Sequence, residues 1–566
     1  MEKTSNGILL FSAAVLSALT LAVPSGLRAA PQVLSNAVAN GPIQVDVSAA
    51  LGALVSEAPA QQGVRLMHKP MQPKLQRFTS DEQALDAIKG VALKPLISPA
   101  VNAAVGLSFE GVGNTPFLNC PGVAGQEVAP PDTNAAVGDS QVVQWVNTCY
   151  AVFDKSTGSL IAGPFAGTNF WKGFGAPCET NNDGDIIIQW DKGNHRWLAA
   201  QNVFNGPPFF TCVAVSQTAD ATGSYFRYTF PQQPGFPDYP KWGLTRSVYY
   251  QSQNVFDVTI PSEPFLGVNV CAYDAKSMLS GKSNAQQVCI FDNSNGTLFD
   301  DSMLPADDDA DAGGPTNREV LLGAIDNFFP GDTHVYEFVF TPNFGNPAQS
   351  TLAGVDGSMP ISVPAFDLAF CTSGAFLTTD CVQQPGTTAK LDTLGDRLMY
   401  RLAHFNQSGT QHFLVTHSVN NTTGVAARWY EFQAQGLGTT NLSLYQSGQT
   451  PDDGEFRWMG SVARDKLGDI AIGYSRSSGT SGDFPSIYFA GRTAGDPLGT
   501  TETEALIKQG TGFQPDTDNR WGDYSSMALD GTDSCTFWYT NEYYDTNVRF
   551  NWATWLASLK FPGCGP

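Results

Sequence analysis

The chain has 566 residues and a net charge of -22, with 15% charged and 11% aromatic residues, 56 Gly and 36 Pro. That charge excludes long-range attraction to nucleic acid or to an anionic membrane. The Gly, Pro and aromatic content suits a sheet- and turn-rich protein better than a helical one, and the length allows one large domain plus an extension.

Residues 1–30 read as a secretion signal, with Lys3 as the positive start, an apolar stretch from Ile8 to Val23 and small residues ending at Ala29-Ala30. The alternative is a membrane anchor, but Ser12, Ser17 and Thr20 interrupt the stretch and Pro24-Ser25-Gly26 follows it. Nothing else approaches the roughly 18 apolar residues of a spanning helix. The expected product is a secreted monomer, extracellular or periplasmic, with no membrane span after cleavage.

Residues 31–107 are rich in Ala and Val and lack Cys and Trp. They read as a pro-segment or a strap on the domain, with one short helix where Thr79 and Glu82 have capping-box spacing. From 108 to 566 strands and turns dominate. Asp185 to Trp190 leads through Asp191-Lys192-Gly193-Asn194 to Trp197-Leu198-Ala199-Ala200. Met459 to Ala463 leads through an Asp-led turn to Ile470-Ala471-Ile472-Gly473-Tyr474, and Ser525 to Leu529 leads through Asp530-Gly531 to Thr536-Phe537-Trp538-Tyr539. Asp, Asn and Gly supply the turns, and β-branched and aromatic runs supply the strands.

A strand-opening motif recurs. Arg457-Trp458-Met459-Gly460-Ser461 returns as Arg520-Trp521-Gly522-Asp523-Tyr524-Ser525, with looser copies at Gly395-Asp396-Arg397 and at Asp238 to Gly243. Arg397 to Arg457 is 60 residues and Arg457 to Arg520 is 63, a period suited to a four-stranded propeller blade with generous loops. The expected fold is all-β, a single propeller of seven blades, with six as the alternative count. The openings fall near Asp132, Asp183, Asp238, Pro315, Leu394, Phe456 and Arg520. A β-sandwich with insertions would explain the strands but not the periodic Arg/Asp openings.

The ten cysteines fit an oxidising compartment. Short-loop pairing joins Cys120 to Cys149, Cys178 to Cys212, Cys271 to Cys289, Cys371 to Cys381, and Cys535 to Cys564; other connectivities stay open. No C-x-x-C occurs.

Phe236 to Lys241, Leu391 to Arg401 and Arg520 to Ser525 resemble a family of secreted bacterial propeller proteins placed near the sialidase-like propellers. The resemblance covers most of 120–564 and implies a propeller and export, without an activity. The Ser-x-Asp-x-Gly-x-Thr-Trp box of sialidases is absent, and Asp191-x-Gly193 before Trp197 is only a degenerate echo.

If the inner strands start on one face, Lys241, Arg397, Arg457 and Arg520 converge at the channel mouth, with Asp132, Asp185, Asp238, Asp396 and Asp523 beside them and Tyr239, Tyr400 and Tyr524 nearby. Guanidinium forks bind carboxylates, so this set suits an acidic sugar or another anion. Asp238, Asp396 and Asp523 are the acid/base candidates and Tyr524 a nucleophile. The plainer alternative is that the Arg and Asp pair with one another across blades.

Asp307, Asp309 and Asp311 alternate ahead of Gly313, a pattern that suits Ca2+. It does not complete an EF-hand, since the twelfth position is Arg318. No cofactor is otherwise required. His404, His412 and His417 form no evident metal triad. There is no G-x-S-x-G, H-E-x-x-H, Walker loop or dinucleotide fingerprint. The leading expectation is binding, with cleavage a further step, of an extracellular acidic glycan at the channel mouth by a glycoside hydrolase- or lyase-like site. The alternative is a non-catalytic propeller that binds surface proteins.

Overall fold

The computed structural model describes residues 30–53, 64–66, 101–114, 118–121, 127–232, 234–293, 300–309, 317–324, 332–373, 376–435, 441–480 and 482–565. The signal segment, the helix expected near Thr79, Asp311 and Pro315 lie outside them. The chain is 52% strand and 3% helix, so it is all-β, and its sheets are arranged as in a propeller.

Among the described residues the chain folds into successive antiparallel meanders. The first runs through Thr133–Val137, Gln141–Val146, Cys149–Asp154 and Leu160–Ala166. The second spans Ile187–Asp191 to Tyr225–Gln232, the third Phe236–Leu244 to Gln287–Asp292, and the fourth Leu304–Asp308 to Thr351–Ala353. The fifth spans Leu398–Gln407 to Ser443–Gln449, the sixth Phe456–Arg464 to Ala505–Lys508, and the last Ser526–Leu529 to Trp552–Lys560. The first strand of each meander touches the first strand of the next, and that of the last touches that of the first. The ring therefore closes around an axis lined by these inner strands.

The fourth meander starts at Leu304, earlier than the Pro315 opening expected from sequence. The acidic run that reads as a loop is a strand because Ala306, Asp307 and Asp308 pair in parallel with Leu402, Ala403 and His404 of the fifth meander.

The segment before residue 50 works as a strap. Val33–Leu34, Val38–Asn40 and Gln44–Val47 add in turn to the outer edges of the fourth, third and second meanders, and Asp46 clamps buried Arg227 at 2.7 Å. Covering outer edges in this way removes unpaired strand edges. Ala104–Glu110 adds to Trp552–Lys560 and supplies the fourth strand of the last meander. The strand that completes the last meander therefore starts at Ala104, inside the 31–107 segment.

Packing between meanders is aromatic and aliphatic. Trp190, Trp197 and Trp538 are buried. The two Trp of the Arg-Trp motif meet across neighbouring meanders, with Trp458 and Trp521 ring centroids 5.5 Å apart. All five expected disulfides are formed, and among the described residues no helix is long and apolar enough to cross a membrane.

Candidate functional site

The inner strands do not enter the ring as regular strands. Asp132 (φ 44°) and Asp185 (φ 48°) hold left-handed backbone just ahead of the first two inner strands. Tyr239 (φ 53°) and Met459 (φ 56°) do so inside bulges of the third and sixth. At those bulges Asp238 to Lys241 faces Asn254 to Ser252, and Trp458 to Ser461 faces Ser475 to Gly473, one extra residue each time. A bulge re-aims the side chains that follow it, and left-handed non-Gly residues cost of order 1–3 kcal/mol each, so the packing of the ring must hold them.

The result is a buried charged cluster. One carboxylate oxygen from each of Asp132, Asp185 and Asp523 lies within 4.8 Å of the others. Asn147 knits them together: its Nδ2 donates to Asp132 Oδ2 at 2.8 Å, and its Oδ1 accepts from the Asp185 backbone at 3.2 Å. The Asp523 backbone donates to Asp132 Oδ1 at 2.7 Å. Lys241 Nζ stands 3.4 Å from the centroid of Tyr239 and 4.3 Å from that of Tyr524, a cation–π sandwich in a dry setting.

Protonation follows from this packing. Burial pushes Asp523 up to about 6, with Asp185 adding to the effect and Arg520 opposing it. Burial and the Asp523 charge also raise Asp132. Burial pulls Lys241 down to about 7 against the attraction of Asp185 and Asp523. Desolvation disfavours the charged form of each group. Three oxygens so placed could hold a cation, but Lys241 and Arg520 already bring positive charge to them.

The structure brings Lys241, Arg397, Arg520, Asp396 and Asp523 into this region, all buried. Arg397 makes a bidentate pair with Asp396, at 2.9 and 2.8 Å. Burial works against its charge, yet Asp396 more than offsets this and keeps it firmly protonated. Its guanidinium also lies 4.5 Å from the Tyr239 ring. Arg520 Nη2 is 2.9 Å from Asp523. Tyr524 donates its hydroxyl to the Ile186 carbonyl at 3.0 Å, so the candidate nucleophile is already committed. Asp238 is buried at the start of the bulge. Tyr239 OH and Arg397 Nη1 have no hydrogen-bond partner among the described residues.

Arg457 departs from the expected convergence. Its guanidinium binds Asp453 at 2.8 Å and Glu504 at 2.7 Å, a separate cluster with Tyr474 and Arg476. The repeated motif thus places equivalent Trp residues but not equivalent Arg residues.

The acidic run read as a Ca2+ loop also differs. Asp307 and Asp309 are buried and bind Arg401, Asp307 at 3.1 Å, while Lys192 reaches Asp309 at 3.0 Å. Their oxygens serve an ion network linking the second, fourth and fifth meanders, and Arg401 Nε extends it to the last meander at the Met527 carbonyl. His404, His412 and His417 are buried apart from one another in role, on Asp308, Glu431 and Tyr430 respectively. Asn147 and Arg401 carry no site signal in the sequence, because their partners come from other segments of the chain and form no local motif.

No protein-family model matches the chain, and no curated protein matches it by sequence. Among solved structures it is similar to a subtype N11 neuraminidase-like protein of a flat-faced bat influenza virus (H18N11), at 9% identity over 76% of this chain and 100% of that one, TM-score 0.31. It is also similar to Drosophila Semaphorin 1b extracellular domains 1-2, at 8% identity over 81% and 88%, TM-score 0.33. A third is Trypanosoma rangeli sialidase, at 12% identity over 61% and 57%, TM-score 0.29. At these scores the similarity assigns no activity.

Proposed function

We propose that the chain is an exported propeller, its seven meanders serving as blades, that acts by binding an extracellular glycan or surface protein. On this reading the axial charges are a structural closure of the ring. One observation carries the proposal: Arg397, Arg457 and Arg520 each pair the guanidinium with a carboxylate of their own chain. An arginine that captures a ligand anion must leave its fork open. Five disulfides support export to an oxidising compartment.

A second reading keeps the acidic glycan and its cleavage at the axis. It is favoured by Asp523 at about 6 beside Lys241 at about 7, since perturbed protonation near neutrality marks acid/base sites. Acidic polysaccharides incubated with purified protein separate the two, with chain length read by size-exclusion chromatography. Unchanged lengths are expected. Shortening that disappears in a folded Asp523→Asn variant overturns the binding-only reading and installs the second.

A further inference from the structure

The inner strands Leu398–Gln407 and Phe456–Arg464 end far from the axial cluster, and there a cavity of about 490 Å³ opens between the fifth and sixth meanders. That volume lies within the roughly 300–1,000 Å³ of small-molecule sites. Its charges are spent internally. Glu431 Oε1 is 2.6 Å from His412 Nδ1 and 3.3 Å from Arg464 Nε, and Gln446 Nε2 donates to the other oxygen. These partners outweigh burial and hold Glu431 as an anion. Burial lowers His412, so it is a neutral imidazole whose Nδ1–H donates to Glu431. Its Nε2 is then an acceptor with no hydrogen bond to the described residues. Arg492 is buried in the wall, its Nη2 donating to the Asp496 carbonyl while its Nε has no partner among the described residues.

Beyond these buried groups, what the cavity offers a ligand is uncharged. Gln433 and Gln435 line it with amides. The Gln433 nitrogen also lies 3.3 Å from His412 Nδ1 and the Gln435 oxygen also accepts from Thr410 at 3.4 Å, which leaves each amide further donor and acceptor capacity. Tyr445, 45% exposed, is its aromatic wall, and Leu498 is the one large exposed aliphatic residue on the rim. An extended apolar ligand would find too little to cover, and the one carboxylate of the lining, Glu431, is already taken up by His412, Arg464 and Gln446. A saccharide without charge matches both surfaces, with a C–H face for an aromatic ring and hydroxyls for amides and imidazole.

We propose that this cavity binds an uncharged saccharide, which packs on Tyr445 and hydrogen-bonds Gln433, Gln435 and His412 Nε2. The proposal concerns a site at the opposite end of the inner strands from the axis and stands whether the axis is inert or reactive. The test is calorimetric titration of the full protein with cellobiose, maltose and lactose, and with digalacturonate as the charged comparison. Saturation-transfer NMR reads which ligand protons touch the protein.

Tyr445→Ala and Gln435→Ala change exposed or rim side chains, so both variants should melt like the wild type. The expected result is saturable binding of at least one neutral disaccharide, weakened about tenfold by Tyr445→Ala. Three outcomes overturn the proposal: no neutral disaccharide bound at millimolar concentration, binding untouched by Tyr445→Ala, or preferential binding of digalacturonate.

Discussion

Arg401 Nη1 lies 3.1 Å from Asp307 Oδ2, across the parallel junction that joins the inner strands of the fourth and fifth meanders. Both groups are buried, and Asp309 and the Met527 carbonyl complete the shell of the guanidinium. Removing one partner of a buried pair strands the other charge, at a cost of about 3–5 kcal/mol. Arg401→Met should therefore lower the free energy of unfolding in guanidinium chloride by about that amount. A loss near zero would show that water already serves these carboxylates.

The axial cluster should leave a mark on the pH dependence of stability. Asp523 holds its proton up to about pH 6 in the folded chain, against 3.8 for the free group. Its contribution is fully present below about 3.8 and is lost as pH rises through 6. Asp523→Asn removes that loss. The melting temperature of the variant minus that of the wild type should climb between pH 4 and 6 in scanning calorimetry; a flat difference would mean that the carboxyl ionises normally in the fold.

His404 gives a contribution of the same sign at higher pH. Burial opposes its charge, but Asp308 overrides this and raises it above its ordinary value of 6.5. The stabilisation is complete below about 6.5 and disappears as pH rises past the raised value. His404→Gln should flatten the alkaline limb of the stability curve, as followed by urea midpoints at successive pH values.

Close backbone packing predicts intolerance at Gly243. A Cβ there would run into the carbonyl of Ala306 on the neighbouring inner strand. Backbone cannot give way as a side chain can, so Gly243→Ala should destabilise by about 1–3 kcal/mol, as overpacking does. An unchanged denaturation midpoint would show that the two strands separate freely.

Reduction of the disulfides should lower the melting temperature while strand content in far-UV circular dichroism persists. The closed loops are short, 10 to 34 residues, and each is worth roughly 2–4 kcal/mol in a chain-entropy picture. The ring rests on a far larger buried core, so the fold should outlast them. Collapse of the strand signal on reduction would contradict this.

Much of the fold was legible because its signals are local. Asp-led turns between β-branched runs mark the hairpins, and short loops were enough to pair all ten cysteines. The fourth inner strand was hidden because Pro305-Ala306-Asp307-Asp308 looks like a loop until Leu402 to His404 pairs with it. The axial site was half legible. Arg520 has a carboxylate three residues on, at Asp523, and turns toward the axis. Arg457 has Gly460 at that position and finds Asp453 and Glu504 instead. That single difference was present in the motif, but the destination of Arg457 depends on Glu504, which lies in the loop ahead of the last strand of the sixth meander.

The strand Ala104–Glu110 has a consequence for how the molecule is made. Leu107 donates its backbone N–H to Ser558 Oγ, a partner 451 residues further along. The last meander therefore waits, during synthesis, for nearly the whole polypeptide before its fourth strand can find its place. Contacts of such range make for slow folding. A chain that stays open this long remains threadable, and it gains its final shape only after the late arrival of its own C-terminal hairpin.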